Sequence, residues 1–149
     1  MDPNNFQRVG AISNAHAGRE FGDWARQFFL TQGIVLRRQF AVSIGVGTLK
    51  RPRKFDLGSD SPAILIECKS HTWTVGGNNP SAKITVWNEA MHLFHIAPEN
   101  FRKILFVLKS TRSDLTLAEH YLKNQEHLIP AGVEFWEFDP ATQLAGRLR

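Results

Sequence analysis

The segment Pro62-Ala63-Ile64-Leu65-Ile66-Glu67-Cys68-Lys69 leaves this chain few folds to choose from. Along an extended strand alternate side chains point to the same face, so Leu65, Glu67 and Lys69 share one face and Ile64, Ile66 and Cys68 the other. A strand this apolar belongs inside a sheet. A carboxylate and an ammonium carried in with it are costly unless they meet partners. Asp56 stands on a short segment just before, across the turn-rich Gly58-Ser59-Asp60-Ser61, so two neighbouring strands could bring Asp56, Glu67 and Lys69 together. Two carboxylates beside one lysine suit a divalent cation, the acids holding the metal and the ammonium positioning or polarising a water. The plainer reading is a cross-strand ion pair of Glu67 and Lys69 at a sheet rim.

The rest of the chain reads as alternating helices and strands. Phe21, Trp24, Ala25, Phe28 and Phe29 recur at three- and four-residue spacing and predict a helix from near Asn14 to about Gln32, with Gly33 as its stop. Residues 34–44 read as a strand, 53–57 as a second and 62–69 as a third. A polar loop, 71–80, leads to Ser81, the expected cap of a helix over 82–97 whose apolar positions include Ile84, Trp87, Ala90, Met91 and Phe94. Ile104-Leu105-Phe106-Val107-Leu108 is a continuous apolar run and reads as a central buried strand. A third helix over 115–128 is stopped by Pro130, and a last strand covers 133–138. Three strands followed by a helical crossover make an α/β sandwich, a central mixed sheet covered by helices on both faces.

Asp56, ten residues and then Glu67-Cys68-Lys69 resemble the signature of the PD-(D/E)xK, or restriction-endonuclease-like, nuclease superfamily, with Phe55 in place of the proline that names it. The tripeptide alone carries little; the weight comes from its context. The element order matches the αβββαβ core of that superfamily over about residues 14–138. The resemblance implies one nuclease domain over residues 1–149, similar to a small type II restriction enzyme, that hydrolyses phosphodiester bonds of duplex DNA with Mg²⁺, or Mn²⁺ in its place. It further implies that Asp56 and Glu67 bind the metal with the Cys68 carbonyl, and that Lys69 positions the attacking water. Gly18-Arg19-Glu20-Phe21 resembles the acidic motif on the first helix of many such nucleases, which makes Glu20 a candidate; otherwise it is a solvated helix residue. The rival readings are a repair or junction-resolving nuclease and a non-cutting DNA-binding module.

Charge supports a polyanion-facing surface. Residues 1–54 hold nine basic and three acidic side chains, a net of +6, whereas residues 55–149 hold nine and eleven, a net of −2. Between Asp23 and Asp56 there is no acid, and Arg51, Arg53 and Lys54 run straight into Asp56. They are the candidates for phosphate contacts, with Lys83 at the start of the second helix. A solvated basic loop is the bland alternative. His71 continues the face of Glu67 and Lys69, and Asn78 and Asn79 suit adenine edges, so the loop is the candidate for reading bases; a plain connector is the alternative. A possible homodimer would match a palindromic site.

Other classes are poorly served. A single cysteine excludes an internal disulfide and a cysteine-based zinc site, so Cys68 reads as a small core residue. No apolar stretch reaches membrane-spanning length, and Met1-Asp2-Pro3-Asn4-Asn5 lacks the order of a signal peptide, which fits a cytoplasmic, reducing compartment. His92 and His95 lack a carboxylate partner, and His120 and His127 read as surface. No serine-hydrolase elbow, Walker loop or dinucleotide fingerprint is present.

Overall fold

Phe21, Ala25 and Phe29, four apart, are all buried and lay one stripe of the first helix, α1 (Pro3–Thr31), against the sheet. The structure, a computed structural model, describes residues 3–76 and 78–149, with the side chains of α1 described from residue 16 onward. α1 therefore begins well before the expected cap at Asn14, whose side chain lies outside the described residues. It ends where expected. Gly33 takes φ +80°, the left-handed conformation that only glycine adopts freely, and its N–H bonds the Leu30 carbonyl at 2.9 Å.

Six strands make one mixed sheet in the order β1 (Arg37–Ile44), β2 (Arg51–Asp60), β3 (Ala63–Lys69), β4 (Arg102–Leu108), β7 (Glu134–Asp139), β8 (Leu144–Arg147). β1, β2 and β3 form an antiparallel meander; β3, β4 and β7 are parallel; β8 returns antiparallel to β7. Parallel neighbours need crossovers, supplied by α2 (Ser81–His95) and α3 (Leu117–Gln125), the latter extended by a 3-10 turn (Glu126–Leu128). Each face of the sheet has its own core. Phe21, Ala25, Phe29, Leu57, Ile64, Ile66, Ile104 and Phe106 form the α1 side. Phe55, Leu65, Trp87, Met91, Phe94, Leu105, Tyr121 and Phe135 form the side of α2 and α3. Residues 104–107 have no exposure, as a central strand covered on both faces requires. No helix among the described residues is long and apolar enough to cross a membrane.

Several boundaries differ from the expectation. Gly58, Ser59 and Asp60 belong to β2, and the turn falls at Ser61-Pro62, between the paired Asp60 and Ala63. Gly58 is there for packing. A Cβ on it would stand 2.5–2.8 Å from side-chain carbons of the buried Phe40, closer than atoms can approach. Gly58→Ala should therefore destabilise the fold by about 1–3 kcal/mol, the usual cost of overpacking. Urea denaturation checks this, and an unchanged midpoint would mean that Phe40 has room to move. α2 starts at Ser81 with Pro80 before it and no side-chain cap, so Ser81 is not the expected cap. A small hairpin, β5 (Thr111–Arg112) and β6 (Leu115–Thr116), precedes α3, which Thr116 and Glu119 open with a reciprocal capping box.

Candidate active site

Phe55 and Leu57 stand two apart on β2 and should share a face, yet Phe55 lies in the core of α2 and Leu57 in the core of α1. The phase changes at Asp56. On β1 it changes opposite, at Gln39, which takes φ +50° between Arg38, paired with Leu57, and Phe40, paired with Phe55. The β2–β3 ladder stops at the pair Leu57–Ile66. Beyond it two carboxylates bridge the strands. Oδ2 of Asp56 accepts from the Cys68 N–H at 2.8 Å, and Oε1 of Glu67 accepts from the Asp56 N–H at 3.3 Å. The acids thus satisfy backbone donors that the ladder leaves open.

Glu67 is buried, its side chain only 6% exposed. Burial, and then the neighbouring charge of Asp56, push its carboxyl up to about 7, against the pull of Lys69, whose Nζ lies 3.6 Å from Oε2, and of Arg53. The Cys68 thiol is pushed well up by burial and by the same two acids, so it is no thiolate nucleophile. The two acids and Lys69 lie at the carboxyl end of β3, which runs parallel to β4 and β7. In open α/β sheets that is the end where ligands bind.

A second buried acid shows what a purely structural carboxylate looks like here. Glu134, at the start of β7, accepts from Arg102 Nε at 2.6 Å and Nη2 at 2.9 Å, and from the Trp136 indole at 3.0 Å. Burial works to raise its carboxyl, but these bonds and the charges of Arg102 and Arg147 hold it below the ordinary range. Glu134 takes three side-chain donor bonds; Glu67 has an acid for a neighbour, one lysine at 3.6 Å, one backbone N–H and the weaker pull of Arg53. That contrast marks Glu67 as the group with unmet demand for positive charge.

Divalent-cation chemistry fits this donor set. Among the described residues no group of three or more His, Cys, Asp or Glu side chains forms a metal cage. Two carboxylates are enough for Mg²⁺, which keeps several waters and commonly takes only one or two protein carboxylates beside substrate phosphate.

The other candidates divide. Glu20 is exposed, and the residues of α1 that line the cavity of about 440 Å³ beside Asp56 are Gly18, Arg19 and Gly22, together with Arg38, Gln39, Leu57 and Cys68. Two positions along a helix turn a side chain by about 200°, so Glu20 points away from the flank that Gly22 presents. Arg51, Arg53 and Lys54 are exposed on β2. Their partners place Arg51 and Arg53 on the face of Ile44 and Val42, and Lys54 on the other. Asn78 and Asn79 are exposed, whereas Trp73 in the same loop is buried, its indole N–H bonded to the Leu115 carbonyl at 3.1 Å. Lys83 is half-buried and its Nζ donates to the Thr72 carbonyl.

Three participants escape the sequence reading. Arg38, paired with Asp23, flanks the cavity; it stands in the acid-free stretch, a signal for charge but not for place. Nothing in a glutamine announces the positive φ of Gln39. Trp87 reads as core and is core, yet its indole N–H bonds Nδ1 of His71 at 2.9 Å.

No protein-family model, no curated protein and no solved structure matches this chain.

Proposed function

We propose that the chain is a Mg²⁺-dependent DNA endonuclease of the PD-(D/E)xK kind. The observation that carries this reading is that the carboxylates of Asp56 and Glu67 accept from the Cys68 and Asp56 N–H groups across the opening between β2 and β3, with Lys69 3.6 Å from Glu67. The order α1, β1, β2, β3, α2, β4 supports it, being the αβββαβ order of that superfamily.

Asp56 and Glu67 would hold the cation, with the Cys68 carbonyl as a further oxygen and Mn²⁺ able to replace Mg²⁺. When bound, the metal supplies positive charge against the phosphate and the leaving oxygen. Lys69, kept in place by Glu67, orients the attacking water in line with the scissile bond. The Lys69 side chain keeps 18% of its surface exposed, which leaves it open to substrate. Arg51, Arg53 and Lys54 meet backbone phosphates, which gives affinity without sequence. Asn78 and Asn79, exposed on the loop leaving β3, are the side chains free to meet base edges, and restriction-type cleavage is the specific form of this reading.

Incubation of the purified protein with plasmid and phage DNA, in Mg²⁺ and in EDTA, tests it. Discrete bands in Mg²⁺ alone are the expected result. A smear would keep the nuclease and remove the sequence specificity. Intact DNA under every divalent cation would overturn the reading in favour of a binding module.

A further inference from the structure

His71 lies two residues beyond Lys69, where β3 runs out towards α2. Its Nδ1 accepts a hydrogen bond from the Trp87 indole, and the two rings lie 6.4 Å apart at 30°. An indole N–H only donates, so Nδ1 must carry the lone pair and the neutral ring must carry its proton on Nε2. Trp87 is almost wholly buried and packs on Tyr121 at 5.2 Å, so the anchor is rigid. Nε2 makes no hydrogen bond to another described residue.

The surroundings are basic. Lys83, on the first turn of α2 and one turn before Trp87, reaches the carbonyl of Thr72, next to His71 in the chain. Burial, then Lys69 and Lys83, hold the imidazole below its ordinary protonation range, and no carboxylate is among the groups acting on it. The ring is thus a neutral, oriented donor, and the charged groups acting on it are both lysines. Such a trio faces a ligand that only accepts and carries negative charge.

β3 ends at Lys69, and two further residues of chain reach at most about 7 Å. That is comparable to the step between successive phosphates of one nucleic-acid strand. We propose that His71 is a phosphate-positioning residue: its Trp87-held Nε2–H donates to a non-bridging oxygen of the phosphate next to the scissile one, with Lys83 balancing that phosphate's charge. The inference rests on the nuclease reading and deepens it, since it assigns the register of the cut strand on the enzyme.

A neutral donor gives direction without releasing counterions. His71→Ala should therefore lower cleavage roughly ten- to a hundredfold, the range a hydrogen bond to a charged group carries. The dependence of duplex binding on salt should not change. Lys83→Ala should instead flatten the log–log salt slope by about 0.9. His71→Gln, which keeps a donor near the Nε2 position, should recover much of the loss. Trp87→Phe should reproduce the loss while the ring still fills the core, as thermal melting would verify.

¹⁵N NMR of the histidines at neutral pH reads the tautomer directly. Nε2–H in the wild type, lost in Trp87→Phe, is expected. An Nδ1–H ring, or wild-type cleavage by His71→Ala, would overturn the proposal. A wild type that binds duplex without cutting it would remove the nuclease reading alone. The phosphate contact would then stand if His71→Ala weakens duplex binding and fall if it does not; a wild type that binds no duplex removes both.

Discussion

Glu67→Gln and Asp56→Asn are each expected to lower DNA cleavage by about a thousandfold or more, while duplex binding holds or tightens. Loss of a metal-holding carboxylate removes several kcal/mol of stabilisation from developing charge in phosphoryl transfer. Neither change removes the acceptor that the backbone uses. In Asp56→Asn the new amide oxygen would still face the Cys68 N–H, and in Glu67→Gln it would still face the Asp56 N–H, so the opening between β2 and β3 keeps its shape. Binding is spared because each substitution deletes a negative charge that repels phosphate. Gel-based cleavage of plasmid, run beside a mobility-shift assay in Ca²⁺, measures both. Lys69→Ala should also lose turnover yet retain affinity for Mn²⁺, since the lysine is not a metal ligand. Mg²⁺-dependent cutting by either carboxylate variant would remove the pair from the chemistry and leave Glu67 and Lys69 as an ion pair.

How far the sequence can be read depends on which physical rule each element obeys. The strands Ala63–Lys69 and Arg102–Leu108 are legible because burial on both faces demands unbroken apolar runs, and nothing else in the chain has one. The acidic pair and lysine are legible for a related reason: alternation puts Glu67 and Lys69 on one face, and an antiparallel neighbour must bring Asp56 alongside. The turn before β3 falls later than expected because Gly58-Ser59-Asp60 has the composition of a turn, whereas Gly58 answers to the ring of Phe40, a contact between strands. β5, β6 and β8 are too short or too exposed to leave a periodic trace. Glu20 is exposed and is not among the residues that line the cavity beside Asp56. A residue beside an apolar stripe can lie on either flank of it, and only the packed sheet decides which flank faces Asp56. The Trp87–His71 bond joins residues sixteen apart across a loop, and no spacing rule announces it.

In the absence of divalent cation the protein should lose stability between about pH 5 and pH 8 through Glu67. Its carboxyl is raised from 4.5 to about 7 in the fold, first by burial and then by Asp56. A raised acid stabilises the native state while it is protonated. That contribution is complete below the unfolded value and is lost as pH climbs through the folded one. The size is on the order of 3 kcal/mol, or roughly 6–12 °C in melting temperature for a chain of this length. Other groups titrate over the same range, Glu137 with the same sign and His71 and His120 with the opposite one, so the informative quantity is the difference between wild type and Glu67→Gln. That difference should be small at pH 5 and favour the variant by pH 8, because a glutamine has no charge to bury. Adding Mg²⁺ or Mn²⁺ at pH 8 should raise the wild type and leave Glu67→Gln nearly unmoved, since a ligand that binds only the native state stabilises it by mass action. Thermal melts of both proteins at the two pH values, with EDTA and with metal, separate the cases. Parallel curves in EDTA would mean that Glu67 is already balanced by Lys69, and a cation effect equal in both proteins would move the metal away from Glu67.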